Sequence, residues 1–362
     1  MDWRRRDILR AGAASLAGTS VPASFGPSGF GALAQEANGA RAAAKSVSWA
    51  TPASIASAKA ERGEIIIYGS MNEQEALPLW KEFEAATGIV VKYVRSSDTG
   101  LMSRIVLEAR AQQRAWDLVV TTAVSKLPSE FLAPLDLPEA KNVMKDAVDP
   151  KGKWCGVYAN YNTPAYNTKF VDKAFLPKTY EEFASRKDWA GKVAIDGNDS
   201  QWVYAMFEHY GEQRARQIIG EIVTNLKPTV VDGHLALARS VGLGEYWVAL
   251  NNYTNLTINV MLKGGETDYW ALQPIALFFG QAGINVRAPH PKTALLAANF
   301  LLSKEAQTLL TTAGRLPVRA DVLPNPADAV KRFGANKIIA TNFTPDDEKK
   351  WQRITTDLLR PR

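Results

Sequence analysis

The sequence predicts an α/β protein built as two lobes, and three observations carry that prediction. The chain has 362 residues, more than one average domain and suited to two lobes of about 150 residues each. Apolar runs and helix-patterned segments alternate as strand, helix, strand, helix, strand between residues 64 and 120. A second alternation starts near Trp189. Such alternation implies parallel sheets with right-handed crossovers.

Residues 64–68 are a short apolar run and predict a buried strand. Ser70 and Glu73 have capping-box spacing, so a helix is expected to start there. Ala76, Leu79, Trp80 and Phe83 recur on one face of it, and Gly88 supplies a left-handed stop. A strand over 89–94, a helix opened by the loop 95–100 and a strand over 117–120 follow. In open sheets of this kind, ligands sit beyond the C-terminal strand ends, at helix N-termini. Free N–H groups and the positive dipole end suit an anion there. Two such N-termini are predicted, at 70–72 and 97–100.

In the second unit, strands are expected over 192–195, 228–231 and 247–250. Helices are expected over 200–210 with Ser200 as cap, over about 212–225, and around Leu235 to Val241. The chain is expected to return to the first unit near Ile284, with helices over 292–302 and 303–312 and a stop and turn at 314–318.

The N-terminus has the layout of an export signal. Arg4, Arg5, Arg6 and Arg10 precede a weakly apolar stretch that ends in Ala32-Leu33-Ala34, a small-x-small cleavage pattern. Paired arginines before a weakly hydrophobic segment resemble a twin-arginine signal. Pro22, Pro27 and five glycines argue against a membrane span. Residues 1–34 therefore read as a twin-arginine-type signal peptide, and 35–62 as a flexible lead-in. Lobe I is expected over 63–160 and 285–330, and lobe II over 161–284 and 331–362.

The formal net charge is +6, and the first 34 residues contribute +2 of it, four arginines against two aspartates. No basic cluster follows the N-terminus, so nucleic acid is not an expected partner. The one cysteine, Cys155, lies in an apolar run and reads as a small packing residue. The three histidines, His209, His234 and His290, form no metal-binding helix motif. No phosphate loop, dinucleotide fingerprint or nucleophile elbow is present. The sequence gives no specific reason to assert catalysis, cofactor or metal, and the chain is expected not to be an enzyme.

The stretches 68–73 and 83–91 resemble the opening of type II periplasmic solute-binding proteins, and more narrowly the ferric-ion-binding group. Residues 165–169, 248–253, 297–301 and 316–319 match in order and spacing. The resemblance implies a hinged, two-lobed receptor that closes on a ligand and docks on an ABC permease. A periplasmic, monomeric protein is expected, and the N-terminal segment implies export by the twin-arginine translocase. Iron binders of one type place His, Glu and two adjacent Tyr at positions that correspond here to Asn72, the neighbourhood of Thr122, and Tyr253-Thr254. Neutral Asn and Thr do not supply the negative charge that Fe³⁺ requires. The reading is therefore a receptor for a small organic anion or zwitterion.

Expected ligand contacts are Asn72, Ser97, Asp98 and Thr99 from the first lobe and Asp196, Asn198, His234, Asn252 and Tyr253 from the second. One alternative is a ferric receptor using Tyr158, Tyr161, Tyr204 and Tyr253. The other is a periplasmic enzyme on the same fold.

Overall fold

A computed structural model describes residues 47–360. The signal-like segment and the beginning of the lead-in lie outside the described residues. Part of the expected lead-in is instead regular structure. Helix α1 (Pro52–Lys59) starts at a Thr51/Ser54 capping box with Pro52 in its first turn. Trp49, just before it, is buried against the rings of Phe83 and Phe300. An apolar anchor of that size ties the segment to the core.

The first alternation forms as β1 (Ile65–Gly69), α2 (Glu73–Thr87), β2 (Val91–Arg95), α3 (Asp98–Arg110) and β3 (Leu118–Thr121). Strand β1 pairs in parallel with both β2 and β3. The Ser70–Glu73 capping box does not form. The N-cap of α2 is Asn72, without a side-chain cap bond, and Glu73 and Glu75 complement the dipole in the first turn. Gly88 ends α2 with φ of +69°, the left-handed cap that its lack of a Cβ allows. Ser97 caps α3 by accepting the Gly100 N–H at 3.2 Å.

Strand β4 (Cys155–Asn167) is buried along its whole length. The short helix α4 (Tyr180–Ala184) leads to β5 (Val193–Asp196), α5 (Ser200–Tyr210), α6 (Glu212–Leu226), β6 (Thr229–Val231) and α7 (His234–Leu243). The cap of α5 is Asp199 rather than Ser200; its carboxylate accepts the Trp202 N–H at 3.0 Å. Then come β7 (Val248–Tyr253), α8 (Thr254–Leu262), β8 (Thr267–Tyr269) and β9 (Ile275–Ile284). The return strand expected near Ile284 is the end of β9. Helices α9 (Pro291–Leu301) and α10 (Lys304–Thr312), strands β10 (Leu316–Pro317) and β11 (Ile338–Ala340), and helix α11 (Pro345–Leu359) complete the fold.

The strand order is β2-β1-β3-β9-β4-β7-β5-β6. Strand β9 runs antiparallel to β3, and β4 antiparallel to β9. Strand β4 joins the two halves: its residues 155–161 pair with β9 and its residues 162–166 with β7. Helices cover each half and bury separate cores. One core gathers Ile67, Trp80, Phe83 and Phe300; the other gathers Trp189, Trp202, Ile218 and Trp351. A third cluster with Tyr161, Leu277, Phe279 and Phe333 fills the crossing of β4 and β9. Helix α11 returns to the second core through Trp351 and Leu359.

Candidate functional site

The C-terminal ends of β1, β2 and β3 point at one cavity of about 350 Å³. Ser70 and Asn72 reach it from just before α2, Arg95 from the end of β2, Ser97 and Asp98 from the start of α3, and Thr122 from just after β3. The start of α7 and the end of β7 supply the opposite wall, with His234 and Tyr253. Tyr158 and Asn160 of β4 and Arg315 before β10 make the floor. A larger cavity of about 720 Å³, bordered by Glu73, Glu75 and Arg239, shares Asn72, Arg95 and Leu235 with it.

Five of the expected contacts, Asn72, Ser97, Asp98, His234 and Tyr253, line the smaller cavity. Asn72 Oδ1 accepts a long bond from Arg95 Nη2 at 3.5 Å. Asp98 is tied back: Thr121 donates to one carboxylate oxygen and Thr122 to the other, at 2.6 Å. Its charge is thereby turned toward β3. His234 and Tyr253 stack with ring centroids 3.5 Å apart, and Phe278 meets the Tyr253 ring edge-on at 4.9 Å.

The other four do local work. Thr99 is exposed, and its hydroxyl lies 3.3 Å from that of Ser97. Asp196 is buried and accepts the N–H groups of Asn198 and Gly233, each at 2.8 Å, which builds the turns after β5 and before α7. Asn198 is exposed and donates to Asp232 at 3.3 Å. Asn252 is buried within β7 and donates to Thr257 at 3.0 Å. Short polar residues at strand ends serve turns as readily as ligands, so spacing alone did not separate these two uses.

Burial sets the protonation states. It pushes the His234 imidazole down; nearby Asp196 opposes this but does not prevail. The Tyr253 phenol is pushed well up by burial and then by Asp199, Asp196 and Asp98. Burial pushes the Tyr158 phenol up to about 12, against the opposing pull of Arg315. At neutral pH the cavity therefore presents a neutral imidazole and two protonated phenols beside two guanidinium cations. Of the tyrosines named as alternative metal ligands, Tyr158 and Tyr253 line this cavity. Tyr161 packs on Phe333, and Tyr204 on Phe343 and Trp351. Thr254, beside Tyr253, is buried and donates to the Tyr161 carbonyl at 3.0 Å.

Sequence reasoning missed Arg95, Asn160 and Arg315 as residues lining the cavity, and reached Tyr158 only as an alternative metal ligand. Arg315 stands in the stop and turn at 314–318, and Asn160 inside a strand that no periodicity marked.

Residues 79–338 match the family described as "Bacterial extracellular solute-binding protein". The chain belongs to that family. Among curated relatives of this solute-binding protein, "Iron uptake protein A1" of Synechocystis is 25% identical over 314 residues, covering 80% of this chain and 85% of that one. A "Putative 2-aminoethylphosphonate-binding periplasmic protein" of Salmonella paratyphi A is 27% identical over 269 residues, covering 67% and 74%. Among solved structures, iron-bound HitA from Pseudomonas aeruginosa superposes with a TM-score of 0.68 at 21% identity, covering 81% of this chain and 99% of that one. The fold is accordingly that of the two-lobed, ferric-binding-protein-like type II periplasmic binding proteins, as the sequence resemblance implied.

Proposed function

We propose that this solute-binding protein is the periplasmic receptor of an ABC importer, and that it captures a small organic anion or zwitterion in the cavity between its lobes. The observation that carries the reading is the charge of that cavity. Two guanidinium groups, Arg95 and Arg315, line it, Arg315 paired from behind with Glu75, while the one carboxylate on its wall, Asp98, is held by Thr121 and Thr122. A trivalent cation would meet two guanidinium groups there, and its capture would require the Tyr158 and Tyr253 phenols, which burial keeps protonated in the metal-free protein, to release their protons. An anionic group meets instead two cations, the start of α2 and several hydroxyls.

The curated relatives divide between iron and an aminophosphonate, which is a zwitterion. The cations favour the second type of ligand. A receptor rather than an enzyme is proposed because the wall's one capping hydroxyl is committed to a helix and its histidine has no carboxylate hydrogen-bond partner. Ser97 caps α3, and His234 Nε2 stays 3.8 Å from Asp196, beyond hydrogen-bond reach. Export by the twin-arginine translocase, a monomeric state and delivery to a membrane permease complete the proposal, supported by the arginine-rich N-terminus and the family.

Calorimetric titration with 2-aminoethylphosphonate, alongside Fe³⁺ with carbonate followed by visible absorbance, tests the reading. Heat from the phosphonate and no tyrosinate charge-transfer band are expected. A strong band that disappears in Tyr253→Phe would overturn it in favour of a ferric receptor.

A further inference from the structure

Gly314, with φ of +81°, turns the chain sharply after α10 and sends the next side chain inward. Arg315 is only 8% exposed, yet it lies on the cavity floor. Its Nε and Nη2 donate to the same oxygen, Glu75 Oε2, at 3.2 and 2.8 Å. Its Nη1 reaches Asn160 Oδ1 only at 3.5 Å. Its Cζ stands 4.4 Å from the centroid of the Tyr158 ring.

A guanidinium carries five N–H donors. Among the described residues these contacts engage one hydrogen of Nη1 and one of Nη2, so each nitrogen retains a second. The Tyr158 hydroxyl has no hydrogen-bond partner among the described residues either, although the residue is 2% exposed. Donors that face a cavity without a protein acceptor need one within it, more so on a charged group. Water or a ligand oxygen must meet them, and a planar fork of donors matches a group with two oxygens on one centre. Arg95 adds a second cation on the same cavity.

We propose that Arg315, stacked on Tyr158 and oriented by Glu75, is the anchor for an oxyanionic terminus of the ligand, a phosphonate or a carboxylate. This rests on the reading of the cavity as an organic-ligand site. Glu75 acts as a positioning residue: it holds the guanidinium by one edge and leaves the other edge to the cavity.

Methylphosphonate and acetate are the probes, titrated into the purified protein with thermal unfolding and calorimetry as readouts. At least one is expected to bind the wild type. Stronger response to methylphosphonate assigns a phosphonyl terminus, and stronger response to acetate a carboxylate. Arg315→Gln is expected to weaken the preferred probe about tenfold or more, as loss of a charge-assisted contact does. Arg315→Lys keeps the charge but not the fork and is expected to fall between the two. Tyr158→Phe keeps the stacked ring and is expected to lose several-fold through the hydroxyl alone. Should Arg315→Gln fail to fold, Arg315→Lys and Tyr158→Phe decide. Folded variants that bind the probe as the wild type does overturn the anchor while leaving the cavity reading intact. A wild type that ignores both probes sinks the cavity reading and the anchor with it.

Discussion

Gly280 is the residue whose replacement tests how the floor of the cavity is built. It lies on β9 directly opposite Tyr158 of β4. A Cβ at this position would fall inside the Tyr158 ring, meeting three of its atoms. The overlap is roughly 1.5 Å relative to the ~3.5 Å at which carbons make favourable contact. The ring cannot yield freely, because Arg315 lies over it and it is buried. Gly280→Ala therefore forces either the ring or the strand pair to move, at an expected cost of about 1–3 kcal/mol for overpacking. Tyr158→Ala alone should cost about 3 kcal/mol or more, by analogy with other buried aromatics. In the double variant the added methyl enters the space the ring vacates. Its cost should be close to that of Tyr158→Ala alone, giving a coupling of about 1–3 kcal/mol. Urea unfolding of the four proteins, with the slope checked for constancy, measures this cycle. Costs that add to within about 0.5 kcal/mol would refute the reasoning, because they would mean that a methyl added at Gly280 and the Tyr158 ring do not compete for one volume.

Trp49→Ala should destabilise the protein by about 3–5 kcal/mol in urea unfolding, since Trp49 is buried between Phe83 and Phe300; a cost within error of zero would return residues 47–60 to a dispensable lead-in. The Asp199 carboxyl is raised well above its ordinary value by burial and then by Asp196. The folded state thus holds a proton that the unfolded state releases, so this group favours folding at low pH and loses that contribution as pH rises through its folded value. Asp199→Asn should flatten this slope between acid and neutral pH, as read by unfolding at several pH values; an unchanged profile would count against a protonated Asp199. The Cys155 thiol is pushed up to about 12 by burial, so a thiol reagent at pH 8 should leave the native protein unlabelled and modify one group per chain in denaturant; rapid native labelling would show that β4 is open.

The local order of the first half was legible because each element carries its own signal. The helix at 73–87 showed apolar residues three and four apart and a terminal glycine, and the helix at 200–210 agreed with its expected span. Strand β4 was not legible. It is buried on both faces, but beyond the short apolar run at its start its sequence mixes Asn160, Asn162, Thr163 and Asn167 with aromatics, so neither alternation nor a continuous apolar run marks the strand. Two of those side chains find partners far away in the chain: the Asn162 amide donates to the Asp199 carboxyl, and the Asn167 amide to the Val241 carbonyl at 2.7 Å. The motif at 316–319 shows the same limit. It was visible as a resemblance, but its Arg319 proves structural: it donates to Glu139 and to the Leu302 carbonyl at 3.1 Å.

By itself, the sequence determined the α/β class, the two alternating units and the strand edge on which the cavity opens. Periodicity, caps and stops are written in neighbouring residues, and the edge follows from parallel connectivity. Only the tertiary structure decided which polar side chains face the cavity. Asp98 and Asp196 looked equivalent to Asn72 and Tyr253 in the chain, yet Asp196 is taken up by backbone N–H groups away from the cavity, and Asp98, although on the cavity wall, is engaged by the hydroxyls of Thr121 and Thr122. Arg315 enters the cavity because α10, a left-handed glycine and Glu75 of α2 converge there. Such convergence joins residues up to 240 positions apart, and local sequence holds no record of it.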